Sequence, residues 1–262
     1  MFKRLLLIPL LFLNISGPLK EAPSITAESA ILMDPWTKKI LYSKNPHQRL
    51  PPASTIKIMT ALTVLKNSYL KKKVIVSKFA SSMEPSKVHI KEGEIYFIED
   101  LLKALLLNSG NDASVALAES VAGSERDFVE MMDKMVKRVG AKNTNLKNSS
   151  GLPIEGQYST AYDLSLVVRE AMKDKNFVDI MKTRRSEIEE LTKGKGIKLK
   201  NHNKSLWEDT PYLLLGKTGY TRDAKHCFAG YIKYNRWHKV IVVVLKSKML
   251  WKDLEALQEV VN

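Results

Sequence analysis

The sequence predicts a mixed α/β (α+β) protein in which both ends of the chain form an antiparallel sheet, flanked by helices, with a helical lobe inserted between them. Short β-rich runs occur near the N-terminus and again in the last third, whereas the middle has the apolar periodicity of helices. The chain of 262 residues is long enough for one large domain or two small ones. Its composition, 44% hydrophobic and 27% charged, is typical of globular proteins.

Two strands and a helix are predicted in the first part of the chain. Ala30–Asp34 and Lys39–Tyr42 have strand-like patterns and are separated by a turn sequence. Pro51–Ala53 ends the extended structure, and a helix is expected from about Ser54 to Leu65.

The middle of the chain is predicted to be mostly helical. Gly140 is a good helix stop, and Thr160–Asp163 fits a capping box before the last of these helices. The predicted segments are Glu99–Leu107, Ala113–Ala122, Glu125–Val139 and Leu164–Met172.

The last third changes to strand character. Lys193–Gly196 is interpreted as a loop or hairpin tip. Cys227–Lys233 and Val240–Lys246 are predicted strands of a hairpin whose turn is Asn235–His238. Leu250–Val261 has helical spacing and is expected to pack on the sheet.

Three short motifs together indicate a serine acyl-transfer site that uses lysine as its base. Ser54–Lys57 reads S-x-x-K, Ser109–Asn111 reads S-x-N and Lys217–Gly219 reads K-T-G. Each motif alone is weak, because short patterns of common residues arise by chance. Ser68–Lys71 and Ser43–Asn45 also match, but the first is expected at a helix end and the second in a strand.

The first motif supplies a nucleophile and a base. Ser54 and Lys57 are three positions apart at a predicted helix start, so they share one face, and the helix dipole favours negative charge near Ser54. Lys57 can accept a proton only when it is neutral, so its pKa must fall well below the usual value of about 10.4. Burial and the neighbouring cation Lys217 would both lower that pKa.

The other two motifs supply substrate contacts. If the turn is extended, Ser109 and Asn111 point to the same side, where the hydroxyl relays a proton to the leaving nitrogen and the amide holds the substrate peptide. Lys217 and Thr218 are expected on an edge strand, where a cation and a hydroxyl suit a terminal carboxylate. Gly219 would leave space for the substrate backbone.

Composition narrows the classes of partner and cofactor. The net charge of +14 favours anionic partners such as nucleic acid, anionic lipid or wall polymer. Nucleic acid is not expected, since the basic residues are spread along the chain and no nucleic-acid motif occurs. The five histidines show no zinc-binding spacing, so no metal is expected. Cys227, the single cysteine, is expected to be a small buried hydrophobe.

The N-terminus resembles a secretory signal peptide. Phe2–Arg4 is basic, and Leu5–Leu13 is an apolar run of nine residues, too short for the roughly 20 that span a bilayer. Residues 1–24 are therefore assigned to a signal segment with its cleavage point open, and 25–262 to the main domain. Export to the periplasm or another extracytoplasmic site, including the outer face of the cytoplasmic membrane, is expected; the alternative is a buried N-terminal strand or helix.

Around these motifs the chain resembles the serine D-alanyl-D-alanine carboxypeptidases, which are low-molecular-mass penicillin-binding proteins. The likeness is carried by Pro52–Leu62, Ser109–Glu119 and Gly216–Thr221, with Asn148 and further family-like residues in order up to Leu164. It covers about 30–245 and implies the serine β-lactamase/transpeptidase-like fold.

The resemblance also implies roles for individual residues. The implied site comprises catalytic Ser54, Lys57 and Ser109 and substrate-binding Asn111, Lys217, Thr218, Gly219 and Tyr220. The oxyanion would be held by the backbone N–H groups of Ser54 and Tyr220. No metal or organic cofactor is implied; peptidoglycan stem peptides would be substrates, and β-lactams would acylate Ser54 as covalent inhibitors.

Two departures from the family pattern stand out. Lys225 occupies a position where the family usually has glycine. Many relatives continue into a β-rich domain and an amphipathic anchoring helix, whereas this chain stops soon after Leu250–Val261, so an anchor of that kind is expected to be absent.

The leading functional prediction is a carboxypeptidase that removes the terminal D-alanine from pentapeptide stems. A D,D-endopeptidase that cuts cross-links is the alternative, and a sensor that binds wall peptides or β-lactams without hydrolysing them is ranked lower. A class A β-lactamase is disfavoured, because Glu187–Thr192 does not supply the E-x-x-x-N glutamate that activates a deacylating water. The third residue of the stem peptide and the oligomeric state stay open.

Overall fold

The computed structural model describes residues 23–209, 212–235 and 238–261. The strands are β1 (Ser29–Met33), β2 (Ile40–Lys44), β3 (Lys73–Ile75), β4 (Ile95–Phe97), β5 (Arg185–Glu189), β6 (Gly196–Lys200), β7 (Leu213–Thr221), β8 (Lys225–Lys233) and β9 (Lys239–Ser247). The α-helices are α1 (Lys57–Asn67), α2 (Lys78–Ser81), α3 (Ile98–Leu107), α4 (Asn111–Ala122), α5 (Glu125–Arg138), α6 (Ala161–Ala171), α7 (Lys175–Lys182) and α8 (Leu250–Glu259). Ala53–Ile56 and Lys204–Trp207 form 3-10 helices.

A five-stranded antiparallel sheet in the order β2-β1-β9-β8-β7 joins the two ends of the chain. The pairing of β1 with β9 places Ser29 opposite Leu245 and Met33 opposite Ile241. Strand β7, which carries Lys217 and Thr218, lies at one edge. The predicted sheet from both termini and the predicted edge position of β7 are therefore confirmed.

The central strand β9 is apolar on both faces because a hydrophobic core lies on each side of the sheet. Its alternate residues enter different cores, as the two-residue period of a strand requires. One core contains Ile241, Val243 and Leu245 with the helical lobe, and the other contains Val240, Val242 and Val244 with Leu250, Leu254 and Leu257 of α8. The expectation that the last helix packs on the sheet is confirmed.

The helical lobe lies between β2 and β7 in the chain and is built mainly around α3. Seven of the ten residues of α3 are buried, and α1, α4 and α7 contact it. Two small two-stranded sheets, β3-β4 and β5-β6, complete the lobe. The predicted hairpin tip at Lys193–Gly196 falls at the link between β5 and β6, and its last residue, Gly196, begins β6.

Two predicted helix starts are wrong. The segment expected to begin an α-helix at Ser54 is a 3-10 helix, and α1 begins only at Lys57, because Ala53 has a φ of 47° and the chain reaches Ser54 from a left-handed residue. Helix α6 begins at Ala161, three residues before the predicted Leu164. Thr160 caps it by accepting the backbone N–H of Asp163.

Some sequence-based assignments fall on residues that the structure does not describe. The predicted signal segment lies outside the described residues up to position 22, as do positions 236 and 237 in the turn between β8 and β9. Within the described ranges, no helix has both the length and the apolar character needed to cross a membrane.

Lys225 lies at the turn between β7 and β8 in a backbone conformation that suits glycine. Its φ is 51°, in the left-handed region, and its side chain is exposed. A side chain with a Cβ pays a steric cost there that glycine avoids. This explains why glycine would be favoured at the position.

Replacing Lys225 by glycine is expected to raise the free energy of unfolding by about 0.5–1 kcal/mol. Glycine removes the steric cost of the left-handed conformation, and its greater conformational entropy in the unfolded chain offsets part of this gain. Lys225→Ala keeps the Cβ and serves as the control, with no gain. Urea unfolding followed by circular dichroism measures both. An equal gain in the two variants would mean that the lysine charge, and not backbone conformation, is unfavourable.

Candidate active site

The three motifs meet in one cavity of about 360 Å³ between the sheet edge and the helical lobe, called the cleft below. Its lining comprises Ser54, Ser86, Ser109, His202, Lys217, Thr218, Gly219, Tyr220, His226, Leu250 and Trp251. Six of the eight predicted site residues are in this set. The other two, Lys57 and Asn111, are buried, with 0% and 3% exposure.

Two glycines hold the turn that carries Ser54. A Cβ built on Gly219 would lie 2.8 Å from the backbone nitrogen of Ser54, so strand β7 can approach the turn only through a residue without a side chain. A Cβ on Gly151, whose φ is 83°, would lie 2.0 Å from the carbonyl oxygen of Ala53. Gly219 was expected to make room for substrate; in the structure the space that its side chain would fill is occupied by the turn that carries Ser54.

The side-chain nitrogen (Nζ) of Lys57 contacts three oxygen atoms. It lies 3.2 Å from Oγ of Ser54, 2.6 Å from Oδ1 of Asn111 and 2.5 Å from the carbonyl oxygen of Ser150. Oδ1 and the carbonyl oxygen can only accept hydrogen bonds, whereas a hydroxyl can also donate. A neutral lysine would give its two hydrogens to these two acceptors. Its lone pair would then be directed at the hydroxyl of Ser54.

The surroundings of Lys57 favour this neutral form. Burial lowers the pKa of Lys57 well below its usual value, and the charge of Lys217 lowers it further. Asp112 and Glu125 act in the opposite direction. Desolvation and the neighbouring cation are the two causes that the sequence predicted.

Asn111 connects Lys57 to the rim of the cleft. While its Oδ1 accepts from Lys57, its Nδ2 donates to the carbonyl oxygen of Glu84 over 2.9 Å, and its backbone N–H donates to the carbonyl of Ser86 over 2.7 Å. One hydrogen of Nδ2 therefore remains for another acceptor. The structure gives Asn111 a positioning role that sequence reasoning missed, and its contact with substrate stays a prediction.

Ser109 occupies the short link between α3 and α4. Its φ of 61° is left-handed, and Asn111 already belongs to α4, so the turn is not extended and the condition for both side chains to point to the same side is not met. Ser109 lines the cleft while Asn111 is turned towards Lys57. The side chain of Ser109 therefore lies at the surface of the cleft, whereas that of Asn111 lies beneath this surface.

Lys217 is a buried lysine that lines the cleft. It is 2% exposed, and its amino group donates to the carbonyl oxygen of Thr218 over 2.8 Å. Burial lowers its pKa to about 7, and no carboxylate of the described residues pairs with it. A bound carboxylate would offset this desolvation by direct pairing.

The cleft contains further residues that no motif indicated. Ser86 comes from the loop held by Asn111, and Leu250 and Trp251 come from the start of α8. The ring of His226 contacts that of Tyr220 in a tilted arrangement, with ring centroids 4.7 Å apart and an interplanar angle of 41°. Burial and then the charge of Lys217 lower the pKa of His202. These positions reach the cleft only through tertiary packing, so a single sequence carries no signal for them.

Three alternative chemistries, namely a thiol nucleophile, a glutamate-activated water and a bound metal ion, find no support in the described residues. Cys227 is fully buried, and burial raises the pKa of its thiol to about 12, which keeps it protonated and unreactive. Among the described lining residues of the cleft there is no glutamate that could activate a deacylating water. In the described ranges, histidine, cysteine and carboxylate side chains form no group of three that could hold a metal ion.

Comparison with known proteins agrees with this geometry. The family model described as D-alanyl-D-alanine carboxypeptidase matches residues 18–249. The chain belongs to this family. The resemblance inferred from the motifs is thereby confirmed.

Among curated family members, DacF of Bacillus subtilis, a D-alanyl-D-alanine carboxypeptidase, is 39% identical over 222 residues, which are 83% of this chain and 57% of DacF. DacD of Escherichia coli, with the same description, is 34% identical over 221 residues, which are 78% of this chain and 54% of DacD. The chain thus spans little more than half the length of these relatives.

Solved structures confirm the predicted fold. A variant of a Streptomyces DD-transpeptidase superimposes with a TM-score of 0.84 at 29% identity, covering 92% of this chain and 98% of that one. The D-alanyl-D-alanine carboxypeptidase from Mycobacterium tuberculosis gives a TM-score of 0.83 at 27% identity, covering 94% of each chain. The chain therefore has the serine β-lactamase/transpeptidase fold.

The contact between Gly151 and the nucleophile turn has a measurable consequence. Gly151→Ala is expected to lower the free energy of unfolding by about 3 kcal/mol or more, because it combines a left-handed backbone with overpacking against the carbonyl of Ala53. Gly156→Ala is the matched control, since Gly156 has a φ of 77° but its Cβ would meet only side-chain atoms at 3.8 Å. It should cost about 1–2 kcal/mol. Equal losses in denaturant unfolding would contradict the close approach.

Proposed function

We propose that this protein is a serine D-alanyl-D-alanine carboxypeptidase that removes the terminal D-alanine from peptidoglycan stem pentapeptides. The observation that carries the proposal is the set of hydrogen-bond contacts made by the side-chain nitrogen of Lys57. Two of its partners, Oδ1 of Asn111 and the carbonyl oxygen of Ser150, can only accept hydrogen bonds, so the lone pair of a neutral Lys57 is directed at Ser54. This arrangement provides a nucleophile and its base beside a cleft that also contains Lys217, a buried cation that pairs with no carboxylate of the described residues. Family membership and the descriptions of the relatives support the same activity.

In the acylation step, Oγ of Ser54 attacks the carbonyl carbon of the penultimate D-alanine while its proton passes to Lys57. The backbone N–H groups of Ser54 and Tyr220 stabilise the oxyanion. Ser109 donates its hydroxyl proton to the nitrogen of the departing D-alanine and takes up the proton that Lys57 accepted from Ser54. D-Alanine leaves as an amine, the peptide remains on Ser54 as an ester, and Lys57 is neutral again. In deacylation, water attacks this ester while the neutral Lys57 accepts one of its protons. Lys57 then passes that proton to Oγ of Ser54 as the ester bond breaks and the shortened peptide leaves with a free carboxyl group.

Substrate binding in this proposal relies on the sheet edge. The terminal carboxylate pairs with Lys217 and accepts from the hydroxyl of Thr218. The peptide lies along β7, whose outer backbone groups have no strand beside them within the sheet. The second hydrogen of the Asn111 amide is available to a substrate carbonyl. β-Lactams, which carry a carboxylate beside a reactive amide, would enter in the same way and acylate Ser54.

The site of action in the proposal is extracytoplasmic. The basic Phe2–Arg4 and the apolar Leu5–Leu13 form the pattern of a secretory signal. Stem peptides of the wall are found outside the cytoplasmic membrane, so an exported enzyme meets its substrate there.

The proposed activity predicts that purified protein shortens monomeric pentapeptide muropeptides by one D-alanine, as measured by mass spectrometry. Ser54→Ala should abolish the reaction. Ser68→Ala is the matched control, because Ser68 also begins an S-x-x-K string but caps the end of α1, and this variant should retain full activity. Cross-linked dimers included in the same reaction test the alternative. Splitting of dimers without shortening of monomers would assign an endopeptidase, and no change in either would reject hydrolysis.

The pKa of Lys217 predicts a basic limb in the pH profile. Since the free protein loses the Lys217 proton as the pH rises through about 7, kcat/KM for a substrate with a terminal carboxylate should fall above that pH. Lys217→Arg keeps its charge and should flatten the limb. A substrate whose terminal carboxylate is amidated should lack the limb in the wild-type protein. If the basic limb persists in the Lys217→Arg variant and also with the amidated substrate, Lys217 is not its origin.

A further inference from the structure

Ser149 is a buried junction at which three helices meet behind the cleft. Its backbone N–H and its hydroxyl both donate to Oε1 of Glu125, over 2.9 and 2.6 Å, at the start of α5. Its carbonyl oxygen accepts from Thr60 of α1 over 2.6 Å and from Ser114 of α4 over 2.8 Å. Ser149 itself is 0% exposed. Its position is therefore set by side chains from α1, α4 and α5.

The next residue, Ser150, connects this junction to the catalytic base. Its carbonyl oxygen is one of the two pure acceptors that Lys57 contacts. The following residue, Gly151, is held by Asn148, whose Oδ1 accepts its N–H over 2.8 Å. A shift of Ser149 would move the Ser150 carbonyl and change the direction of the Lys57 lone pair. No motif includes Glu125, and it does not line the cleft.

We propose that Glu125 is a positioning residue for acylation: by holding Ser149 it fixes the Ser150 carbonyl that orients Lys57 towards Ser54. This inference rests on the proposed function, because it concerns the same nucleophile and base. Glu125 has no contact with the reacting atoms and acts through two neighbouring residues of the chain.

The charge of Glu125 adds a second, separable effect. The charged groups that act on Lys57 are Lys217, which lowers its pKa, and Asp112 and Glu125, which raise it. Asp112 already accepts a hydrogen bond from the backbone N–H of Val88, which lies 3.1 Å from its Oδ1 and 3.0 Å from its Oδ2. The rate of acylation falls at low pH as Lys57 becomes protonated, and this fall is the acid limb of the pH profile. Removing the Glu125 charge should lower the pKa of Lys57, so the acid limb should move to lower pH.

Three variants separate the hydrogen bonds from the charge. Glu125→Gln keeps an oxygen acceptor for Ser149 and removes the charge, whereas Glu125→Ala removes both. Glu130→Gln is the control, since it removes an exposed carboxylate from the same helix. The measurement is the second-order rate constant of acylation by a fluorescent penicillin from pH 5 to 9, with thermal unfolding confirming that each variant is folded.

We expect Glu125→Ala to acylate at least 10-fold more slowly than the wild-type protein, and Glu125→Gln to stay within about 3-fold with its acid limb at lower pH. Glu130→Gln should match the wild-type protein in rate and profile. Wild-type rates in Glu125→Ala, or equal losses in the alanine and glutamine variants, would overturn the positioning role. If Glu125→Ala does not fold, the glutamine variant decides: a 10-fold loss overturns the proposal, and a retained rate with a displaced limb supports it. Failure of the wild-type protein to acylate would reject the proposed function itself.

Discussion

The site depends on one constraint: Lys57 is buried, and its amino group is held in a fixed orientation. Lys57 lies within the protein at 0% exposure, where desolvation disfavours its charge, and its two hydrogens in the neutral form are matched by the acceptors Asn111 and Ser150. A free amine in water would have no preferred direction. Here the two acceptors belong to different parts of the helical lobe, so the lobe must be assembled before the lone pair can be directed at Ser54.

Close packing of the backbone fixes the position of Ser54, towards which Lys57 is oriented. The turn that carries Ser54 lies between strand β7 and the loop around Gly151, and at both contacts a side chain would collide with backbone atoms. Because the turn is confined on both sides, Ser54 is presented to the cleft from a short 3-10 helix and not from a regular α-helix. The left-handed Ala53 is part of the same constraint, since it redirects the chain into the turn.

The edge strand β7 of the sheet places the amino group of Lys217 in the wall of the cleft. Lys217 is buried on the edge strand without a carboxylate partner in the described chain, which is unfavourable in the free protein and lowers its pKa to about 7. The same cation contributes to the low pKa of Lys57. One buried lysine therefore has two effects: it places a cationic group in the cleft, and, after desolvation, it lowers the pKa of Lys57 further.

The sequence by itself determined the elements and the chemistry, because both depend on local patterns. Two-residue and helical periodicities predicted the sheet from both termini and most helices, and the three motifs indicated Ser54, Lys57 and Lys217 for the site. Tertiary structure decided the rest. The 3-10 turn at Ser54, the contacts of Asn111 with Lys57 and Glu84, and the junction at Ser149 arise where segments distant in sequence compete for the same space and the same hydrogen bonds. Such contacts have no local periodicity, so residues such as Glu125 acquire a role only once α1, α4 and α5 are packed together.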